Sequence, residues 1–190
     1  MKNFIARSLY AHYGVVDDED LSISTAIFSA IVTLYCAGGS IGAYMSGPIS
    51  NKFGRKRAVL LTLIMTLLGS CIGTVSKMFN AFELLLVGRF LIGIGAGACF
   101  SCVPLYVCEI APGRYRGALG ASSQLFITIG IFTASFFTLE RFLGGPLLWP
   151  VGFGAQSFFC MISAIILLLV AEESPKWILT INKDAAQCRV

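Results

Sequence analysis

Four of the polar side chains in the predominantly apolar stretch Gly88–Gln124 are the first candidates for chemistry. Arg89 stands near its beginning, Glu109 and Arg116 lie seven residues apart in its second half, and Gln124 ends it. Guanidinium and carboxylate groups form charge-assisted pairs, and a primary amide both donates and accepts hydrogen bonds. Charged groups near lipid are costly and mark functional sites. The stretch therefore predicts charge pairing and the binding of a polar ligand.

The composition places these side chains in a membrane. Of the 190 residues, 56% are hydrophobic and 13% are charged, whereas soluble domains carry about 25% charged residues. The mean hydropathy is +0.81, and the apolar residues come in long blocks. Most of the excess behind the net charge of +4 lies in short loops between the blocks. That distribution indicates membrane orientation, and no nucleic-acid partner is expected.

The apolar blocks predict five membrane-spanning helices. They run over about 21–49, 58–75, 82–107, 118–139 and 148–171. Each block is long enough to cross about 30 Å of hydrocarbon. Lipid offers the backbone no hydrogen-bond partner, so each span must be helical. The expected fold class is an all-α membrane protein.

Basic residues in the loops indicate how the helices are oriented. Nine of them fall on one side of the predicted membrane: Lys52, Arg55, Lys56, Arg57, Arg114, Arg116, Lys176, Lys183 and Arg189. The positive-inside rule places that side in the cytoplasm. We therefore expect an extracellular tail over 1–20, a transmembrane bundle over 21–171 and a cytoplasmic tail over 172–190.

Glu109 is the candidate for a gate, because it ends the third span on the side of the basic loops. Its carboxylate can pair with Arg116 or with Arg55, and a desolvated pair of this kind can latch one conformation. The alternative is a solvated glutamate at the membrane interface. Arg89 is predicted near the opposite end of the same span. There it either extends to the headgroups or lines an aqueous vestibule.

Gln124 is the candidate for ligand binding, because it lies about two turns into the fourth span at a rise of about 1.5 Å per residue. Its amide bonds either another helix or the hydroxyl groups of a polar ligand. Ile127 and Ile131 follow at i+3 and i+7 and share its face. An amide flanked by apolar side chains suits a sugar, which has hydroxyl edges and apolar faces.

Neither a metal centre nor an enzyme site is expected. Cys99 and Cys102 form a CxxC without a second pair or a histidine, so they are interpreted as packing residues. The single histidine, His12, lies in the N-terminal tail, and no nucleophile with its base is apparent. Glycine pairs four residues apart, Gly38 with Gly42 and Gly93 with Gly97, instead predict close approach of two helices.

Several motifs occur in a fixed order along the chain. They are NKFGRKR at 51–57, GRFLIGIGAG at 88–97, VPLYVCEIAPGRYRGALG at 103–120, SSQLFITIGI at 122–131, LLWP at 147–150 and EESPKWIL at 172–179. In this order they resemble the sugar-porter branch of the major facilitator superfamily, and within it the facilitative glucose transporters. The resemblance covers nearly everything from Leu21 to Leu179. It implies that the five spans correspond to helices two to six of that fold.

The resemblance also implies roles for individual residues. A cytoplasmic charge network that stabilises the outward-facing state would contain Arg55, Lys56, Glu109, Arg116 and Glu173. The sugar would be faced by Gln124, Ile127 and Ile131, and Arg89 would lie toward the outer vestibule. Two residues depart from the pattern: Asn51 stands where many superfamily members have aspartate, and Lys176 replaces an arginine.

The function implied by the resemblance is transport of a hexose, glucose-like or fructose-like, across the plasma membrane by alternating access and without a cofactor. The family has twelve spans, so the expectation is a truncated N-terminal half and an incomplete transporter. The stretch 4–14 resembles the extracellular loop that follows helix one in this family. The alternative is a non-transporting membrane protein that associates with a full-length transporter or a second half. The sequence leaves open which sugar is moved and whether protons accompany it.

Overall fold

Five α-helices form the bundle in the computed structural model, which describes residues 20–79, 82–137, 149–175 and 177. They are α1 (Asp20–Phe53), α2 (Arg55–Phe79), α3 (Phe82–Ile110), α4 (Arg116–Phe137) and α5 (Trp149–Val170). Each contains a segment long and apolar enough to cross a membrane. The predicted all-α fold with five spanning helices is therefore confirmed. Lys176 and nearly all of both predicted tails, 1–19 and 178–190, lie outside the described residues.

The first two helices are separated by a single residue, whereas the predicted spans end at about 49 and resume at about 58. α1 continues through Pro48 to Phe53, and α2 begins at Arg55. Membrane helices tolerate proline because neighbouring groups satisfy the backbone groups it releases. Gly54 has φ of +99°, and its N–H donates to the Ser50 carbonyl at 3.2 Å. A left-handed glycine of this kind ends α1 and lets α2 turn back antiparallel.

α3 is the central helix and packs against both α1 and α2. Its contact with α1 is between backbones: a Cβ at Gly97 would collide with the Gly39 carbonyl group, and one at Gly93 would collide with the Tyr35 carbonyl oxygen. A Cβ at Gly42 would in turn collide with the Ile94 carbonyl group. The close approach predicted from the glycine spacing is confirmed, because no side chain separates the helices at these points.

Hydroxyl groups join α5 to α2. The side chains of Ser70 and Ser157 form a hydrogen bond of 2.7 Å between the two helices. Nearby, the Phe153 ring fills the notch that Gly73 leaves, where a Cβ would lie 2.9 Å from the ring. Complementary shape and this polar contact thus help to fix the position of α5 on α2.

α4 packs least tightly. It contributes no buried side chain among the described residues. Its contact is with α3, near Gly120, whose Cβ would lie 3.3 Å from the Cys108 sulfur. Most of α4 is therefore not covered by the described helices, and apolar residues such as Phe126 and Phe132 are exposed.

Candidate functional site

Polar side chains meet at the end of the bundle where α1 and α3 finish, α2 begins and the segment after α5 returns. We call this group the helix-end cluster; its members are Ser50, Asn51, Arg55, Lys56, Glu109, Glu173 and Ser174. The antiparallel course of the helices brings these ends together, although the residues lie up to 124 positions apart in the sequence.

The Arg55–Glu109 ion pair is the centre of the cluster. Arg55 Nε donates to Glu109 Oε2 at 3.0 Å and Nη2 donates to Oε1 at 3.1 Å, so the pair is bidentate. Arg55 Nη1 donates to Ser50 Oγ at 2.9 Å and to Asn51 Oδ1 at 2.7 Å. The guanidinium thus uses four of its five N–H groups. Asn51 supplies its amide oxygen as an uncharged acceptor.

Glu173 joins the segment after α5 to the start of α2. Its Oε1 accepts a hydrogen bond from the backbone N–H of Lys56 at 2.8 Å. This N–H lies in the first turn of α2, where it has no partner within the helix and where the helix dipole favours an anion. A Cβ at Gly54 would lie 2.9 Å from the Glu173 carboxyl carbon. Gly54 is therefore required both by its backbone conformation and by the space that Glu173 occupies.

The Lys56 side chain was expected to join the charge network, but it binds a backbone carbonyl. Its Nζ donates to the Leu168 carbonyl at 3.3 Å, in the last turn of α5. Carbonyl groups there lack a partner within the helix, and a cation near them is favourable. Lys56 thus links α2 to α5 through a helix end.

Arg116 is not brought into the cluster. It is the first residue of α4, it is exposed, and its side chain makes no ion pair within the described part of the chain. Of the two partners open to Glu109 from the sequence, the structure pairs it with Arg55. A role for Arg116 in the network stays a prediction.

The three residues predicted to face a sugar lie together on α4. Gln124 and Ile131 are exposed and Ile127 is half-buried. The Gln124 backbone carbonyl accepts from Thr128 Oγ1 at 3.0 Å. The Gln124 side-chain amide makes no hydrogen bond to any of the described residues, 20–79, 82–137, 149–175 and 177. The residue is exposed, and the apolar residues that follow it, Leu125 and Phe126, are exposed as well.

Arg89 lies about 30 Å from the cluster, at the opposite end of α3, given the helical rise of about 1.5 Å per residue. Its guanidinium carbon is 4.8 Å from the centroid of the Phe153 ring of α5. A cation over an aromatic face is stabilised by the ring quadrupole. Arg89 Nε is buried and has no hydrogen-bond partner among the described residues. The side chain is half-buried and is held inside the bundle by an aromatic contact.

The sequence did not point to the two serines of the cluster, Ser50 and Ser174. Ser174 Oγ donates to Glu109 Oε2 at 2.8 Å, and Ser50 bonds Arg55. A single serine has no spacing that predicts such a contact, and only its position in EESPKWIL beside Glu173 gave a signal. No group of His, Cys, Asp and Glu suited to a metal occurs in the part of the chain that is described.

Comparison with known proteins identifies related transporters. The family model "Sugar (and other) transporter" matches residues 2–189. Solute carrier family 2, facilitated glucose transporter member 5, of Homo sapiens is 36% identical over 189 residues, which are 100% of this chain and 37% of that protein. Member 3 of Gallus gallus is 37% identical over 162 residues, covering 84% of this chain and 32% of that protein. The chain thus spans about a third of the length of these relatives.

Solved structures show the same fold. The partially occluded inward-open xylose transporter XylE from E. coli superposes with a TM-score of 0.75 at 20% identity, over 97% of this chain and 48% of that one. The proton:xylose symporter XylE bound to 6-bromo-6-deoxy-D-glucose gives a TM-score of 0.76 at 20% identity, over 96% and 43%. The relatives are named as transporters, which favours a non-enzymatic protein. With five membrane-length helices, this chain is an integral multi-pass membrane protein of the sugar transporter family.

Proposed function

We propose that this chain supplies helices two to six of a transporter that moves a hexose by alternating access. The observation that carries the proposal is the uncovered face of α4, where the Gln124 amide stands beside Ile127 and Ile131. An amide with unused donors and acceptor can bond sugar hydroxyl groups, and the isoleucines can contact the apolar face of the ring. The names of the relatives, which are facilitated glucose transporters, support a hexose as the substrate.

The helix-end cluster would serve as the latch of the gate. Arg55 and Glu109 tie the start of α2 to the end of α3, and Glu173 ties the segment after α5 to the start of α2. These contacts persist only while the helix ends stay together. Closed helix ends on the cytoplasmic side would favour the outward-facing state, and separation of the ends would open the inward path.

We also propose that the protein lies in the plasma membrane with its N-terminus outside and its C-terminus in the cytoplasm. The basic residues at the helix-end cluster support this orientation. An epitope tag fused at the N-terminus should be accessible to antibody on intact cells. The same tag at the C-terminus should require permeabilisation. Labelling in the reverse order would contradict the orientation, and labelling of intact cells by neither tag would contradict the plasma-membrane location.

Gln124→Leu should weaken hexose binding about tenfold or more, because a sugar hydroxyl left without its partner costs about 1–3 kcal/mol. The test uses a chimera in which this chain replaces the matched segment of human facilitated glucose transporter member 5. Uptake of labelled D-glucose and D-fructose into cells expressing the chimera gives the affinity for each sugar.

Thr133→Val is the matched control for this substitution. Thr133 lies on the same helix, and its hydroxyl donates only to the Ile129 carbonyl one turn earlier at 2.8 Å. Its loss should leave sugar affinity unchanged. Equal affinity of the Gln124→Leu and unmodified chimeras would remove Gln124 from the sugar site. A chimera that reaches the cell surface and takes up neither hexose would contradict the proposed function.

A further inference from the structure

The segment that follows α5 crosses the ends of three helices. We call its described residues, 172–175 and 177, the strap. Tyr106 of α3 donates its hydroxyl hydrogen to the Glu172 carbonyl at 2.5 Å. Trp177 Nε1 donates to the Asn51 carbonyl at 2.9 Å, and the Lys56 N–H donates to Glu173. The strap is thereby fixed to α3, to the end of α1 and to the start of α2.

Two of these bonds satisfy backbone groups that a helix leaves without partners. The Asn51 carbonyl belongs to the last turn of α1, and the Lys56 N–H belongs to the first turn of α2. The last four carbonyls and first four N–H groups of a helix have no partner within it. When the strap is docked, it supplies partners on both sides of the Gly54 turn.

Ser174 is the point where the strap meets the ion pair. Its side chain has 0% exposure, and its Oγ donates to Glu109 Oε2 at 2.8 Å. The same oxygen accepts from Arg55 Nε at 3.0 Å. The Ser174 carbonyl accepts from the Trp177 N–H at 3.1 Å, and the Trp177 ring in turn bonds the Asn51 carbonyl in the last turn of α1. One buried serine therefore orients both the carboxylate and the rest of the strap.

We propose that Ser174 is a positioning residue of the latch. Its hydroxyl holds the Glu109 carboxylate in the orientation that Arg55 binds with two hydrogen bonds, and it makes docking of the strap depend on that pair. Formation of the ion pair and docking of the strap are then one event. This role rests on the proposed function, because the latch belongs to a transport cycle. Within the latch, the neutral Ser174 side chain links the Arg55–Glu109 pair to the strap.

The exchange rate of the Lys56 amide hydrogen reports directly on docking, because its hydrogen bond is to the Glu173 side chain. Ser174→Ala, in the full chain in lipid nanodiscs, should accelerate this exchange about tenfold, since a hydrogen bond to a charged group is among the stronger ones. Ser122→Ala is the matched control. The Ser122 hydroxyl donates only to the Leu119 carbonyl within α4, at 2.8 Å, so its loss should leave the Lys56 rate unchanged.

A second background tests whether Ser174 acts through Glu109. In chains that already carry Glu109→Ala, the Ser174 hydroxyl has lost its acceptor, so adding Ser174→Ala should cause no further acceleration. Exchange of Lys56 at the original rate in Ser174→Ala would overturn the proposal. Full additivity in the Glu109→Ala background would overturn it too. No sugar is present in this measurement, so its failure is distinct from failure of the uptake experiment on Gln124.

Discussion

Arg55→Ala should destabilise the bundle by about 3–5 kcal/mol, the range measured when one partner of a buried ion pair is removed. The Arg55 side chain is 14% exposed and that of Glu109 is 6% exposed, so the remaining carboxylate would be left largely out of water. The substitution also removes the donor to Ser50 and Asn51. We expect the lower stability to appear as an earlier midpoint in SDS-induced unfolding, followed by circular dichroism of the chain in detergent.

Two further variants separate charge from geometry. Arg57→Ala removes an exposed basic residue two positions away and should change the midpoint little. Arg55→Lys keeps the positive charge and loses the planar fork, so its midpoint should fall between those of the original chain and Arg55→Ala. If Arg55→Ala and Arg57→Ala unfolded at the same midpoint, the Arg55–Glu109 pair would not stabilise the bundle.

Gly97→Ala should also destabilise the protein, although the same change usually stabilises a helix interior by about 1 kcal/mol. The added Cβ would collide with the Gly39 carbonyl group. That neighbour is backbone and cannot rotate away, so α1 must move off α3 along their shared face. Overpacking of this kind costs about 1–3 kcal/mol, and it should shift the same unfolding midpoint downward.

Gly130→Ala is the control, and it should shift the unfolding midpoint in the opposite direction or not at all. Gly130 lies inside α4, and a Cβ there would meet nothing within 4 Å. This change should leave the midpoint unchanged or raise it. Stabilisation by Gly97→Ala equal to that by Gly130→Ala would show that α1 and α3 do not touch through their backbones.

The five helices were predictable because an apolar run long enough to cross the membrane must be helical. The sequence could not show where α1 ends, since Pro48 is compatible with both a loop and a membrane helix. The end depends on Gly54, whose left-handed conformation and missing Cβ fit the Glu173 carboxylate. Glu173 lies 119 positions further along the chain, so the residues around Gly54 give no sign that a side chain there would collide with it.

The candidate site was predictable in its charged residues and not in its geometry. Glu109 had two possible partners, and only the packing of α2 beside α3 selects Arg55. Lys56 contributes its backbone N–H and reaches a backbone carbonyl, and backbone groups have no sequence signature. The roles of Gln124 and Arg116 stay predictions, because α4 contacts little of the described bundle.

The burial of the Arg55–Glu109 pair has a consequence for its response to ionic strength. Mobile ions screen exposed charges over about 8 Å at physiological concentration and screen buried pairs much less. Both side chains are largely buried, and the bonds of Lys56 and Trp177 around them end on or begin at backbone groups. A rise or fall in the potassium concentration of the cell during osmotic stress should therefore leave the Arg55–Glu109 pair intact. Separation of these helix ends would therefore require movement of the helices themselves rather than a change in the surrounding electrolyte.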